Sequence, residues 1–235
     1  MKKTLLLVCV MLAACSGISL TAHSFKQQDA KKIIDLNYPE VSGLLPEAQQ
    51  EVNARIGATI DSVKADFERN VTAIDRTDKS PVAASTLTMT YGVTFRSQKF
   101  LSIWFDVVMR LKGSPRTNEY RMPFNYDIAN RATISLPDIF SDTGAALTEI
   151  SSRAASELID RSKSQKALVA NEEGWIKTGT APSFDNFRSF TFDGRSLVIW
   201  FPPFQVGPGG QSEEVRIPLD AVSKYLNDYG KKLLM

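Results

Sequence analysis

Residues 187–218 read FRSFTFDGRSLVIWFPPFQVGPGGQSEEVRIP. Aromatic-rich runs flank Asp193-Gly194, and the second run ends at the pair Pro202-Pro203. A Pro/Gly loop follows, and the alternating run Glu214-Val215-Arg216-Ile217-Pro218 closes the stretch. Asp-Gly between apolar runs signals a hairpin, because a type I′ turn needs positive φ at both central residues. The stretch therefore predicts a hairpin, a surface loop and a third strand. Trp104, Phe190, Phe192 and Trp200 are expected to fill the sheet core, as large aromatics usually do. The loop differs, because its three glycines sit in polar surroundings where backbone can approach a partner closely. Phe204, Gln205, Val206, Gly207, Pro208, Gly209, Gly210 and Gln211 are thus candidate partner-binding residues, a plain connecting loop being the alternative.

Upstream, Val52, Ile56, Ile60, Val63, Phe67, Val71 and Ile74 recur every three or four residues. That period gives a long helix with one apolar face, opening at Pro46 and ending before Ser80-Pro81. The period then switches to two. Leu87, Met89, Tyr91, Val93 and Phe95 alternate with Thr86, Thr88, Thr90, Gly92 and Thr94, the pattern of a half-buried strand. Residues 100–111 and 119–126 complete a three-strand meander, and Pro123 confines the last strand to an edge or an end. A second helix is expected over 143–161, capped by Asp142 or Thr143, with Leu147, Ile150, Ala154 and Leu158 buried. Residues 164–186 read as loop. After Pro218, Asp220 is placed to cap a last helix carrying Val222, Leu226, Tyr229 and Leu233. Helix, strands, helix, strands, helix is an α+β order, with helices packed on one side of mostly antiparallel sheet.

The beginning of the chain reads as an address. Lys2 and Lys3 precede an apolar run over residues 5–12, too short to span a bilayer. Leu12-Ala13-Ala14-Cys15 then resembles a bacterial lipobox, with residues 1–14 as signal peptide and Cys15 as the lipidated residue. Such an anchor puts the protein in the cell envelope, and Ser16 after the cysteine resembles outer-membrane sorting, to the periplasmic face of a diderm host. Residues 15–36 are polar and mixed and read as a tether, which holds His23, the one histidine of the chain. The domain then covers 37–235, either as one unit or as two subdomains split near 127–140.

Composition supports an ordinary globular domain, with 43% apolar and 23% charged residues. Lys2 and Lys3 account for the whole excess of 28 basic over 26 acidic residues, so no basic field argues for nucleic acid. Cys9 leaves with the signal and Cys15 is blocked by lipid, so the domain must be stabilised by packing rather than a disulfide.

Catalytic options are narrow. A Ser-His-Asp or Cys-His arrangement needs a histidine base, and the single histidine lies in the tether. The same scarcity argues against zinc, and no phosphate-binding glycine motif opens a helix. No catalytic residue, metal or cofactor is therefore expected. Carboxylate pairs drawn from Asp106, Asp127, Asp138, Glu172, Glu173 and Asp185 stay open in principle, since two carboxylates suffice for glycoside hydrolysis. Asp185, Asn186 and Asp193 lack the spacing of an EF-hand calcium loop.

Three segments carry a family resemblance. They are residues 197–201 with Phe204-Gln205-Val206-Gly207-Pro208, then Glu214-Val215-Arg216-Ile217-Pro218, and upstream Asn125-Tyr126-Asp127 with residues 134–140. Together they resemble an extracytoplasmic domain of lysozyme-sensing anti-sigma factors of the RsiV type, shared as an accessory domain by some peptidoglycan deacetylases. Gly209 stands where that family often places an aromatic, and the loop is a residue short. The sequence holds no counterpart of the deacetylase catalytic domain, so no catalytic residue carries over. The resemblance implies a non-enzymatic lipoprotein, a membrane partner through its lipid, and a lysozyme-type protein or peptidoglycan as ligand. Residues 171–214 hold six acids against three bases, a mild bias toward a basic partner. The alternatives are a carboxylate-based enzyme acting on peptidoglycan and a structural factor in envelope assembly.

Overall fold

Val52, Ile56, Ile60, Val63, Phe67 and Val71 are all buried, so the stripe read from the sequence is the face by which helix α1 (Pro46–Thr77) packs on a sheet. The computed structural model describes residues 17–77, 84–164, 171–208 and 212–235. The expected signal segment and lipidation residue Cys15, Ser80-Pro81 and the loop residues Gly209, Gly210 and Gln211 lie outside those residues. The sheet under α1 has six strands in sequential order: β1 (Ser19–Gln28), β2 (Lys32–Ser42), β3 (Ser85–Arg96), β4 (Phe100–Arg110), β5 (Asn118–Asp127) and β6 (Ala132–Thr133). Every neighbouring pair is antiparallel except β2 and β3, and α1 is the crossover that a parallel pair requires. Pro123 sits on β5 beyond the reach of β6, which pairs only at Tyr126 and Asp127. Its missing N–H therefore costs no ladder bond.

The expected tether is a strand over much of its length. Ser19–Gln28 pairs with β2 through ten residues, from Ser19 opposite Ser42 to Gln28 opposite Ile33. The Asp29 carboxylate closes the turn by accepting from the N–H groups of Lys31 and Lys32 at 2.8 and 2.9 Å. His23 stacks on Tyr38 and reaches Glu40 at 2.7 Å. Polarity misled the sequence reading because an edge strand is held by its backbone while both its faces stay wet.

The second half builds its own core on a three-stranded sheet, β7 (Phe190–Phe192), β8 (Ser196–Phe201) and β9 (Glu213–Pro218). Helix α3 (Thr143–Ser164) follows the short α2 (Leu136–Ile139) and buries Leu147, Ile150, Ala154 and Leu158 against that sheet. Asp142 caps α3 by accepting from the Ala145 N–H at 2.9 Å. The fold is α+β, its two sheets mostly antiparallel. Two cores result, and buried polar side chains join them. Ser102 Oγ donates to Asn125 Oδ1 at 2.6 Å, Asn125 Nδ2 donates to the Phe190 carbonyl at 2.8 Å, and the Phe192 N–H donates to Ser102 Oγ at 2.9 Å. Phe100 of β4 crosses over to meet Phe192 edge-on.

Four local expectations change. The structure places two short helices, α4 (Glu172–Gly179) and α5 (Phe184–Phe187), in the stretch expected as loop, held by tertiary docking that their sequence does not advertise. At the hairpin only Gly194 has positive φ (89°), so the turn is not type I′. The Asp193 carboxylate instead accepts from the N–H groups of Arg195 and Ser196. The last helix is broken into α6 (Leu219–Val222), a 3-10 turn over Ser223–Tyr225 and α7 (Asp228–Leu234). Asn227, not Asp220, caps the final segment, accepting from the Gly230 N–H at 2.7 Å while donating to the Asp138 carbonyl. Phe190 and Phe192 are core, but Trp104 and Trp200 are only half-buried on the outer sheet faces.

Candidate partner-binding surface

The loop after β8 divides its residues between anchoring and display. Its backbone turns back on itself, with the Gln205 N–H bonded to the Pro202 carbonyl at 3.1 Å. Gln205 faces inward, and its amide donates to the carbonyls of Gly179 and Asn186 at 2.8 and 3.0 Å. Val206 is buried at 4% exposure. Gly179 must be glycine for this to happen, because a Cβ there would overlap the Gln205 carbonyl. Gln205 thus ties the loop to the end of α4 and to α5.

Phe204 is displayed. Its φ of 68° lies in the left-handed region, where a non-glycine residue carries strain of about 1–3 kcal/mol, and the residue is 52% exposed. A strained backbone that holds an apolar ring in water is unexplained by packing. The other two segments joined by Gln205 also expose an aromatic, Trp175 on α4 and Phe184 on α5. Sequence reasoning placed neither in the site. The signal that was available is a tryptophan and a phenylalanine within an otherwise polar stretch. Of the eight predicted loop residues, Gln205 and Val206 are structural, while Phe204, Gly207 and Pro208 face outward or lie at the surface.

The charge around this surface is weaker than its count suggests. Glu173 bonds Lys163 and Lys177, and the Lys163 contact chiefly holds its carboxyl below the usual range. Glu213 bonds Arg161, and Asp193 and Glu214 both bond Arg216. Most of the acidic excess over 171–214 is therefore answered by bases, several from outside that segment.

The six carboxylates considered for catalysis are dispersed. Asp106 holds Arg121 with two bonds of 2.6 and 3.0 Å. Asp127 is buried and accepts from Asn130 and from the Tyr229 hydroxyl at 2.7 Å. Asp138 forms a capping box with Ser135. Glu172 and Glu173 lie in the first turn of α4, and Asp185 in that of α5. The calcium candidates Asn186 and Asp193 spend their side chains on separate turns. Among the described residues no group of three His, Cys, Asp or Glu side chains is placed to hold a metal.

One polar cluster looks like a site and behaves as a latch. The Arg121 guanidinium lies over both Trp104 and Trp200, at 4.3 and 5.6 Å from the ring centroids. It also lies 3.6 Å from Glu214 of β9. The adjoining cavity is about 60 Å³, room for a water or two rather than a sugar ring. Arg121 therefore couples the outer faces of the two sheets.

No family model matches the chain. Over 128 residues it is 27% identical to the peptidoglycan-N-acetylmuramic acid deacetylase PdaC of Bacillus subtilis (strain 168), and it spans only 26% of that protein while 54% of this chain is matched. Among solved structures it is similar to a DUF3298 family protein from Pseudomonas aeruginosa PAO1, with a TM-score of 0.60 and 10% identity over 90% of this chain and 94% of that one. A DUF3298 family member from Bacteroides fragilis NCTC 9343 gives a TM-score of 0.58 and 14% identity over 89% and 94%. At such identities the likeness is one of fold.

Proposed function

We propose that this chain is a non-enzymatic lipoprotein of the bacterial cell envelope, lipidated at Cys15, whose RsiV-like extracytoplasmic domain recognises a peptidoglycan-related partner. A lysozyme-type muramidase is the sharpest form of that partner. The lipobox supports the address and the location at the outer membrane's periplasmic face. The likeness to part of a peptidoglycan deacetylase supports the envelope context. The observation that carries the binding role is Phe204, held exposed in a left-handed conformation by a loop that Gln205 fastens from behind. Aromatic side chains, phenylalanine among them, are enriched at protein interfaces over the rest of the surface.

The test is direct binding of the full chain, purified in detergent, to a lysozyme. Micromolar affinity is expected, together with inhibition of the muramidase and a loss of about tenfold in Phe204→Ala. Gly179→Ala, which displaces the Gln205 carbonyl, is expected to weaken binding similarly without touching the partner. A chain that neither binds nor inhibits lysozyme at micromolar concentration overturns the muramidase reading. Incubation with purified sacculi is expected to release no fragments, and release would overturn the non-enzymatic one.

A further inference from the structure

A groove of about 460 Å³ separates α1 from the open edge of β5 and ends against α5 and β7. Its size is that of a small-ligand site. Three features set its chemistry. The floor is apolar, formed by Met122, Pro123, Phe124, Ile134 and Phe190. The β6 ladder stops at Tyr126, and beyond it the edge of β5 receives isolated bonds only, from the Ile134 N–H to the Asn125 carbonyl and from the Ser189 hydroxyl to the Arg121 carbonyl. The charged groups that line it are two guanidinium ions, Arg55 from α1 and Arg188 after α5, with no lining carboxylate.

The state of those two arginines is informative. Arg121, Arg131 and Arg161 are each paired with a carboxylate. Arg188, by contrast, has no hydrogen-bond or ion-pair partner among the described residues. Arg55 has one long, exposed bond to Glu51 at 3.2 Å. A guanidinium matches a carboxylate with two parallel bonds, so two of them above an apolar floor select a ligand with separated carboxylates and an apolar body. An uncharged glycan would leave both cations unused.

We propose that this groove binds a short acidic peptide, of the class that cross-links peptidoglycan, with its carboxylates on Arg55 and Arg188 and its methyl-bearing residues on the Phe124–Ile134 floor. The envelope reading supplies the source of that peptide, and the inference rests on it to that extent. The groove is a second site, distinct from the surface around Phe204, and the two adjoin at Phe184, which lines the groove while remaining exposed.

Titration calorimetry on the full chain tests it, with the tetrapeptide L-Ala-γ-D-Glu-meso-diaminopimelate-D-Ala as probe. Binding is expected with a Kd below about 1 mM, weakened about tenfold in Arg188→Gln and further in the double variant with Arg55→Gln. The peptide with amidated carboxylates and an uncharged chitin tetramer are expected not to compete. Both arginines are exposed, so unchanged unfolding midpoints verify that the variants fold. No binding at about 1 mM, unaltered binding in the double variant, or equal binding of the amidated peptide each overturns the proposal. Loss of the peptide site with lysozyme binding intact would sink this inference alone. Peptide binding that survives Phe204→Ala, in a chain that ignores lysozyme, would sink the muramidase reading alone.

Discussion

Gly92 shows how one missing side chain sets the outer face of the larger sheet. It lies opposite Trp104 in the β3–β4 register, and a Cβ at that position would overlap the indole ring. The ring lies flat on the backbone there, and Arg121 covers it from the other side. Gly92→Ala is therefore expected to destabilise the protein by about 1–3 kcal/mol through overpacking, read from denaturant unfolding. An unchanged midpoint would mean that Trp104 moves freely. Tyr229 makes a second residue-scale case. Burial first, and then its bond to the Asp127 carboxylate, push its phenol far above the ordinary value. The folded chain thus holds that proton more tightly than the unfolded one. Its contribution is complete below about pH 10 and is lost as pH rises beyond that. Tyr229→Phe is expected to cost about 1–3 kcal/mol at neutral pH and to make the alkaline loss of stability shallower. Identical alkaline profiles for the two proteins would refute this.

Among the elements, β1 has the clearest consequence. Beyond Leu36 β2 has no strand partner other than β1, because its pairing with β3 ends there and only the Asn53 side chain of α1 bonds its backbone, at Val41. A form of the protein that begins at Phe25 keeps only the last few pairs and uncovers a long strand edge. Such edges recruit other chains. Light scattering is expected to show self-association of that shortened form, while one beginning at Gly17 stays monodisperse, and equal behaviour would argue that β1 is dispensable. The loop after β8 makes a related point about α4 and α5. Each is a short helix that becomes stable by docking, with Gln205 bridging their ends. Helices of this length are marginal in isolation, which explains why their segment carries no periodic signal.

At the scale of the whole molecule, two cores meet through Ser102 and Asn125 rather than through apolar packing alone. Asn125→Ala strands the Phe190 carbonyl and one bond of Ser102 in a buried place, at a cost of about 1–3 kcal/mol. Calorimetry is expected to show a lower midpoint with a broadened transition as the cores begin to unfold separately. A transition that stays sharp at an unchanged midpoint would show that Phe100 and the Arg121 latch suffice. The same junction brings the open edge of β5 beside α5, and so creates the groove lined by Arg55 and Arg188. Residues more than a hundred positions apart make that site, and no spacing in the chain marks them as partners.

Much of the architecture was legible in the chain. The stripe of α1, the alternation of β3, the edge position implied by Pro123 and the buried face of α3 all follow from periodicity, because periodicity records which side of an element loses its water. Phe204 was legible as part of a Pro/Gly loop, though its division of labour with Gln205 was not. Tertiary structure alone decided that a polar leader becomes β1, that residues after 171 coil into helices, that the last helix breaks at Asn227, and that Trp104 and Trp200 flank an arginine instead of filling the core. Those outcomes depend on backbone pairing, on glycines that let distant segments approach, and on charges that meet across sheets. None of these leaves a repeating pattern of apolar residues, so only the folded chain reveals them.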